Sequence, residues 1–167
     1  MEGVTPNGKL LPRLLIAGAL TGTIDVLLVI IINYKIPAAV LFKFIASGFF
    51  GPSAFGGGAD MVFYGLLFHY TIALCWATFF LLLYPKLISV IKVKSILVFA
   101  TGFAIWIVMN LIVIPLSDAP PQHFKVLGVI EDLVALIVAY GVPFTLIADR
   151  FYHPQRKSTQ QKMLLPT

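Results

Sequence analysis

Four long apolar stretches constrain this chain more than any other feature of its sequence. A helix needs roughly 20 residues to cross the hydrocarbon core of a bilayer, which is about 30 Å thick. The stretches cover about 14–33, 61–84, 95–116 and 126–147. A bilayer offers no partners to unpaired backbone groups, and none of the stretches alternates as the strands of a barrel do. We therefore predict that all four are membrane-spanning helices.

The amino-acid composition excludes the other broad classes of protein. Of the 167 residues, 59% are hydrophobic and 11% are charged. In an ordinary soluble domain, about 45–50% of the residues are apolar and about 25% are charged. A soluble globule could not cover so much apolar surface with polar groups. A disordered chain is also excluded, because such chains are poor in apolar residues and rich in charged ones. Because Cys75 is the single cysteine, a disulfide scaffold is excluded as well.

The fold class that follows is an all-α polytopic membrane protein, a four-transmembrane-helix antiparallel bundle. We assign 1–150 to the membrane domain and 151–167 to a basic tail. The first stretch is predicted to be a retained helix rather than a cleaved signal peptide. It is too long for a signal, it contains Asp25, and no small-residue cleavage site follows it.

Lysine and arginine are distributed unevenly between the two sides of such a bundle. With four spans, both termini and the middle loop share one side, which carries nine of these residues, and the other side carries three. The three are Lys35, Lys43 and Lys125. Positive residues accumulate on the cytoplasmic side of membrane proteins, so both termini are predicted to be cytoplasmic.

The segment between the first two spans predicts a short additional helix. Pro37 can occupy a first helical turn, and apolar residues follow it at helical spacing as far as Phe49. About eleven apolar residues cannot span, so this helix is predicted to be interfacial or re-entrant. The glycine-rich stretch after it reads as a hinge into the second span.

Each span carries a polar residue on a face of small residues. Small residues let helices approach closely, so these faces should point into the bundle. A charged carboxylate facing lipid at mid-membrane would cost on the order of 2.5–3.5 kcal/mol. Span by span, the residues are Gly18, Gly22 and Asp25; Gly65, His69 and Ala73; Gly102 and Asn110; and Gly128, Glu131 and Asp132.

The predicted orientation brings these polar residues to similar depths. We expect a polar cluster in the outer half of the bundle, roofed by the short helix after Pro37. Two interpretations stay open. Buried polar groups can simply hold helices together, at about 0.6 kcal/mol each, and Asn110 and His69 fit that role. Acids inside a membrane are functional by default, so Asp25 and Asp132 are the foremost candidates for binding a ligand or a proton. The full set of candidates for that role is Asp25, His69, Asn110, Glu131 and Asp132.

Other chemistries find little support in the sequence. Three or four convergent metal ligands are not indicated, and the Glu-x-x-His pairing of di-iron bundles is missing. Two further histidines, His123 and His153, lie outside the spans, which disfavours haem. Cys75 reads as an apolar core residue, and no nucleic-acid-binding module is recognisable. We predict no metal, no cofactor and no nucleic-acid partner.

Two stretches carry a general likeness to a group of known proteins. AGALTGTID (17–25) and GLLFHYTIALCWATFFLLLYP (65–85) resemble small four-helix bacterial inner-membrane proteins of uncharacterised function. The likeness covers about the first half of the chain. It implies a multi-pass protein of the bacterial inner (plasma) membrane and no particular activity.

The functional prediction is a non-enzymatic accessory subunit or a module that binds a small ligand or a partner. The alternative is a small oligomeric transporter or proton-coupled channel. Besides the lipid bilayer, the partner is expected to be another membrane protein or a second copy of this chain. The Gly-x-x-x-Gly face of the first helix is a candidate for that contact, and packing inside the bundle is the equal alternative for it.

Overall fold

The computed structural model describes residues 10–121 and 125–152, which form five helices joined by short turns. They are α1, Leu10–Ile32; α2, Ala38–Phe50; α3, Ala59–Val90; α4, Lys94–Leu116; and α5, Val126–Tyr152. The predicted all-α class is confirmed. All five are long and apolar enough to cross a membrane if α2 is counted with the 3₁₀ turn Gly51–Gly56 that follows it. That makes α2 a fifth candidate span, where the sequence predicts four.

Helix α3 runs past Pro85 to Val90, beyond the predicted end of the second span. Proline has no N–H, so it cannot bond the carbonyl four residues earlier, which here belongs to Leu81. That carbonyl accepts a hydrogen bond of 2.8 Å from the Tyr152 hydroxyl at the end of α5. A side chain from another helix thus replaces the missing backbone donor, and α3 continues through the proline.

Helices α4 and α5 each contain one π-helical turn, Met109–Val113 and Ile137–Gly141. In both cases a proline follows two residues after the turn, Pro115 in α4 and Pro143 in α5. The residue just before each proline bonds the carbonyl five residues earlier. Because a proline ring crowds the preceding turn, a local widening of the helix accommodates it.

Helices α1 and α3 pack in antiparallel fashion through small residues. A Cβ on Gly18 would lie 2.9 Å from Leu74 Cα, and one on Gly22 would lie 3.0 Å from Ala73 Cβ. Ten residues separate Gly22 from the end of α1, and ten separate His69 from the start of α3. The end of α1 and the start of α3 therefore lie at the same end of the bundle, which we call the outer end.

Helix α2 lies across this outer end. Its middle crosses α3 where Phe42 O abuts Gly65, so closely that a Cβ would have no room. Its last turn reaches the end of α4, where Gly48 O accepts a hydrogen bond of 3.2 Å from Asp118 N. Gly51 then ends α2 with φ +63°, a left-handed conformation that favours glycine. The 3₁₀ turn leads back to α3.

The opposite end, the inner end, holds the packed core. The aromatic rings of Phe80 and Phe144 stack at 5.1 Å, and both side chains are buried. Asp149 of α5 accepts a hydrogen bond of 2.6 Å from the Tyr84 hydroxyl and pairs with Lys94. These contacts tie α3, α4 and α5 together at the inner end.

Candidate functional site

A cavity of about 710 Å³ lies at the outer end, between α2 and the other helices. Pockets for small organic ligands usually measure about 300–1,000 Å³ and are mostly apolar with a few polar groups. This cavity fits that description. Its apolar wall includes Phe44, Phe49, Phe55, Phe68, Ile105 and Leu136.

Four of the five polar residues singled out from the sequence lie on this cavity. Each comes from a different helix, Asp25 from α1, His69 from α3, Asn110 from α4 and Asp132 from α5. The first three are at most 9% exposed, so they do not face lipid. Glu131 lies outside the cavity and is exposed, because adjacent residues of a helix point about 100° apart.

Two hydrogen bonds link the helices at the inner side of the cavity. The Tyr140 hydroxyl donates to Asp25 Oδ2 over 3.3 Å, which joins α5 to α1. His69 Nε2 lies 2.8 Å from Gly22 O, which joins α3 to α1. A carbonyl oxygen can only accept, so Nε2 carries the proton of this hydrogen bond.

The two π-helical turns each place one polar residue on the cavity wall. Asn110 lies in the turn of α4 and donates from Nδ2 to Trp106 O over 3.1 Å. Tyr140 lies in the turn of α5. A π turn adds one residue to a helical turn and so rotates the side chains near it; such turns are frequent at functional sites. The positions of Asn110 and Tyr140 thus depend on the prolines that follow.

Tyr140 is not predicted from the sequence, because an aromatic residue in an apolar run resembles ordinary core. Pro143, three residues later, is the signal that could have pointed to an irregular helix there. Asn33 also lines the cavity, although the sequence places it at the edge of the first span.

Most of the small residues predicted to pack helices do so. Ala73 is fully buried, and a Cβ on Gly102 would lie 2.7 Å from Ile137 Cα. The Gly18 and Gly22 face of α1 packs internally against α3, as shown above, so it is not free for a second copy. Gly128 differs, since no described atom lies within 4 Å of where its Cβ would be. A residue absent from the prediction, Gly141, abuts Val98 O.

Two further expectations concern metals and cysteine. Within residues 10–121 and 125–152, no three His, Cys, Asp or Glu side chains converge as metal ligands. His123 and His153 lie outside the described residues. Cys75 is exposed, so its assignment to the core is wrong: it lies on α3 away from the buried row of Ala73 and Ala77.

No protein-family model, curated protein or solved structure matches this chain.

Proposed function

We propose that this chain is a four-span membrane protein that holds a small ligand in the cavity beneath α2, as a binding module rather than an enzyme. Both termini would lie in the cytoplasm of a bacterium, with α2 on the outer side of the inner membrane. The observation that carries the proposal is the cavity itself, on which four helices each place a polar side chain.

The four-span topology is supported by the path of the chain around α2. The end of α1 and the start of α3 lie at one end of the bundle, so the segment between them leaves and returns on the same side. The regular part of α2 has 13 residues and a length of about 20 Å, short of the roughly 30 Å of hydrocarbon. The excess of positive charge around both termini and the middle loop supports their cytoplasmic placement.

A binding role is also supported by the state of the serine hydroxyls. Ser47, Ser53 and Ser117 each donate to a carbonyl three residues earlier in their own turn, at 2.6–2.8 Å. Such bonds are the usual local role of serine in helices, and they leave these hydroxyls unlike an activated nucleophile, which is hydrogen-bonded to a general base.

Binding of a neutral fluorescent probe to the purified protein tests this function. N-phenyl-1-naphthylamine brightens in apolar sites, and we expect saturable binding in phosphatidylcholine nanodiscs after subtraction of empty nanodiscs. Ala135→Phe should weaken binding at least tenfold, because Ala135 is buried and lines the cavity. Ala104→Phe is the matched control, since Ala104 is exposed on α4 and outside the cavity wall. Equal binding by both variants and the unaltered protein would refute the proposal.

A small oligomeric transporter or proton-coupled channel is the second candidate, favoured by the π turns of α4 and α5 beside the cavity. Helices interrupted near a polar site are common in transporters. If the chain has this function, liposomes that contain it should take up protons or a solute, and Asp25→Asn should abolish that flux. The packed core at the inner end, where Leu81 and Phe144 are at most 1% exposed, instead favours a cavity closed on that side and no such flux.

A further inference from the structure

Acidic side chains outnumber basic ones on the cavity wall. Asp25 and Asp132 line the cavity, and the described residues of its wall include neither lysine nor arginine. Lys43 of α2 lies nearby in the sequence, but its ammonium group donates to Phe55 O over 3.3 Å, and it is not part of the wall. Even with a charged His69, the wall would hold one more acid than base.

Most of the side-chain hydrogen-bond donors on the wall are engaged within the protein. Six of its polar side chains donate to protein acceptors: Asn33 to Val29 O, His69 to Gly22 O, Thr71 to Leu67 O, Asn110 to Trp106 O, Ser117 to Ile114 O and Tyr140 to Asp25 Oδ2. The two amides keep one further N–H each, and Trp76 adds one indole N–H. The wall therefore presents mainly acceptors to an occupant.

Two of those acceptors are carboxylate oxygens without a hydrogen bond to the described residues. Asp25 accepts a hydrogen bond from Tyr140 at Oδ2, and its Oδ1 accepts none from the described residues, although the residue is only 9% exposed. Asp132 makes no hydrogen bond or ion pair within 10–121 and 125–152. A buried carboxylate is costly unless it is paired or protonated. A bound ammonium group would supply both the charge and the donor that these two acids lack among the described residues, although Asp132 is only partly buried.

We propose that the occupant is a lipophilic amine, a protonated amino group on an apolar body; this inference rests on the proposed binding function. The ammonium group would donate to the free oxygens of Asp25 and Asp132, as charge-assisted bonds. The body would lie against Phe44, Phe49 and Phe68, whose rings also attract cations. A fatty acid or a phospholipid phosphate would meet two acids and, on the described part of the wall, no lysine or arginine, so anionic amphiphiles are disfavoured.

The experiment compares three amphiphiles of one chain length. Dodecylamine, dodecanol and dodecanoate compete with N-phenyl-1-naphthylamine for the unaltered protein in phosphatidylcholine nanodiscs at neutral pH. A charge-assisted hydrogen bond corresponds to roughly a tenfold or greater change in affinity. We expect dodecylamine to compete at least tenfold better than dodecanol, and dodecanoate to be the weakest of the three.

Two variants assign the preference to the acids. The double variant D25N/D132N keeps the shape of both side chains and removes their acidity. It should lose the amine preference whatever its affinity for the probe, because that preference is the ratio of dodecylamine to dodecanol competition in the same variant. Asp60→Asn is the matched control, because Asp60 is exposed in the first turn of α3 and outside the cavity wall; it should behave like the unaltered protein.

The outcomes separate the two proposals. Probe binding without an amine preference, or a preference that survives D25N/D132N, overturns the lipophilic amine and leaves the binding function standing. A failure of the probe itself to bind refutes the binding function.

If phosphatidylethanolamine nanodiscs abolish the advantage of dodecylamine, the ammonium group recognised is that of a lipid, and a free amine is ruled out as the occupant. The comparison of the three amphiphiles on the unaltered protein remains decisive even if the double variant does not fold.

Discussion

At the scale of single residues, the hydrogen bond from Tyr152 explains how α3 remains a continuous helix although Pro85 lies inside it. Leu81 O has no backbone donor four residues on, and the Tyr152 hydroxyl supplies one. Tyr152→Phe should lower the free energy of unfolding by roughly 0.5–1.5 kcal/mol, the usual net value of a hydrogen bond. Thermal or denaturant unfolding of the purified protein measures the change.

Pro85→Ala provides the matched background for that measurement. An alanine N–H can bond Leu81 O within α3, so the loss of the Tyr152 hydroxyl should then cost close to nothing. The two variants together form a double-mutant cycle, in which a coupling of at least about 0.5 kcal/mol is expected. An equal cost of Tyr152→Phe in both backgrounds would show that the hydroxyl does not replace the missing donor.

How far the site could be predicted differs from residue to residue. Asp25, His69, Asn110 and Asp132 are visible in the sequence because each interrupts an apolar stretch on a face of small residues, and the structure places all four on one cavity. Tyr140 is not visible, since its role depends on the local pitch of α5. Whether these residues act on a ligand stays a prediction.

At the scale of secondary-structure elements, the length of the apolar stretches was enough to locate the helices. The first, third and fourth spans begin within about four residues of α1, α4 and α5. Helix α3 continues six residues beyond the predicted second span. It passes through Pro85, a residue that usually ends a helix, and the partner that allows this, Tyr152, lies far away in sequence. The π turns were missed because hydrophobic periodicity does not report a single added residue.

The contact between α2 and the end of α4 gives a prediction at this scale. A Cβ on Gly48 would lie 3.7 Å from Ser117 Cβ, within the usual separation of about 3.5–4.5 Å for a disulfide. The pair Gly48→Cys and Ser117→Cys, in a Cys75→Ser background, should therefore form an intramolecular disulfide under mild oxidation. Mass spectrometry of the intact protein and of its peptides detects the bond.

A second pair serves as the control for this cross-link. Gly56→Cys with Ser117→Cys places one cysteine in the 3₁₀ turn, where no described atom lies within 4 Å of the added Cβ. This pair should remain reduced under the same conditions. If both pairs oxidise equally, α2 does not hold a fixed position against α4, and the cavity has no stable roof.

At the scale of the whole molecule, the path of α2 decides the number of crossings and the side on which each loop lies. Lys35 and Ser53 flank α2, and Lys92 lies between α3 and α4; all three are exposed. If α2 lies across the outer end, the first two share one side of the membrane and Lys92 occupies the other. If α2 crosses, Lys35 and Ser53 lie on opposite sides.

Single cysteines at these positions, in a Cys75→Ser background, distinguish the two topologies in intact bacteria. A membrane-impermeant maleimide should label Lys35→Cys and Ser53→Cys before lysis, and Lys92→Cys after lysis. The charge distribution supports this outcome, because nine of the twelve lysines and arginines then lie in the cytoplasm. Labelling of Lys35→Cys and Ser53→Cys from opposite sides would make α2 a true span. It would also move the cavity away from the outer membrane surface, so that its ligand would have to enter from within the bilayer.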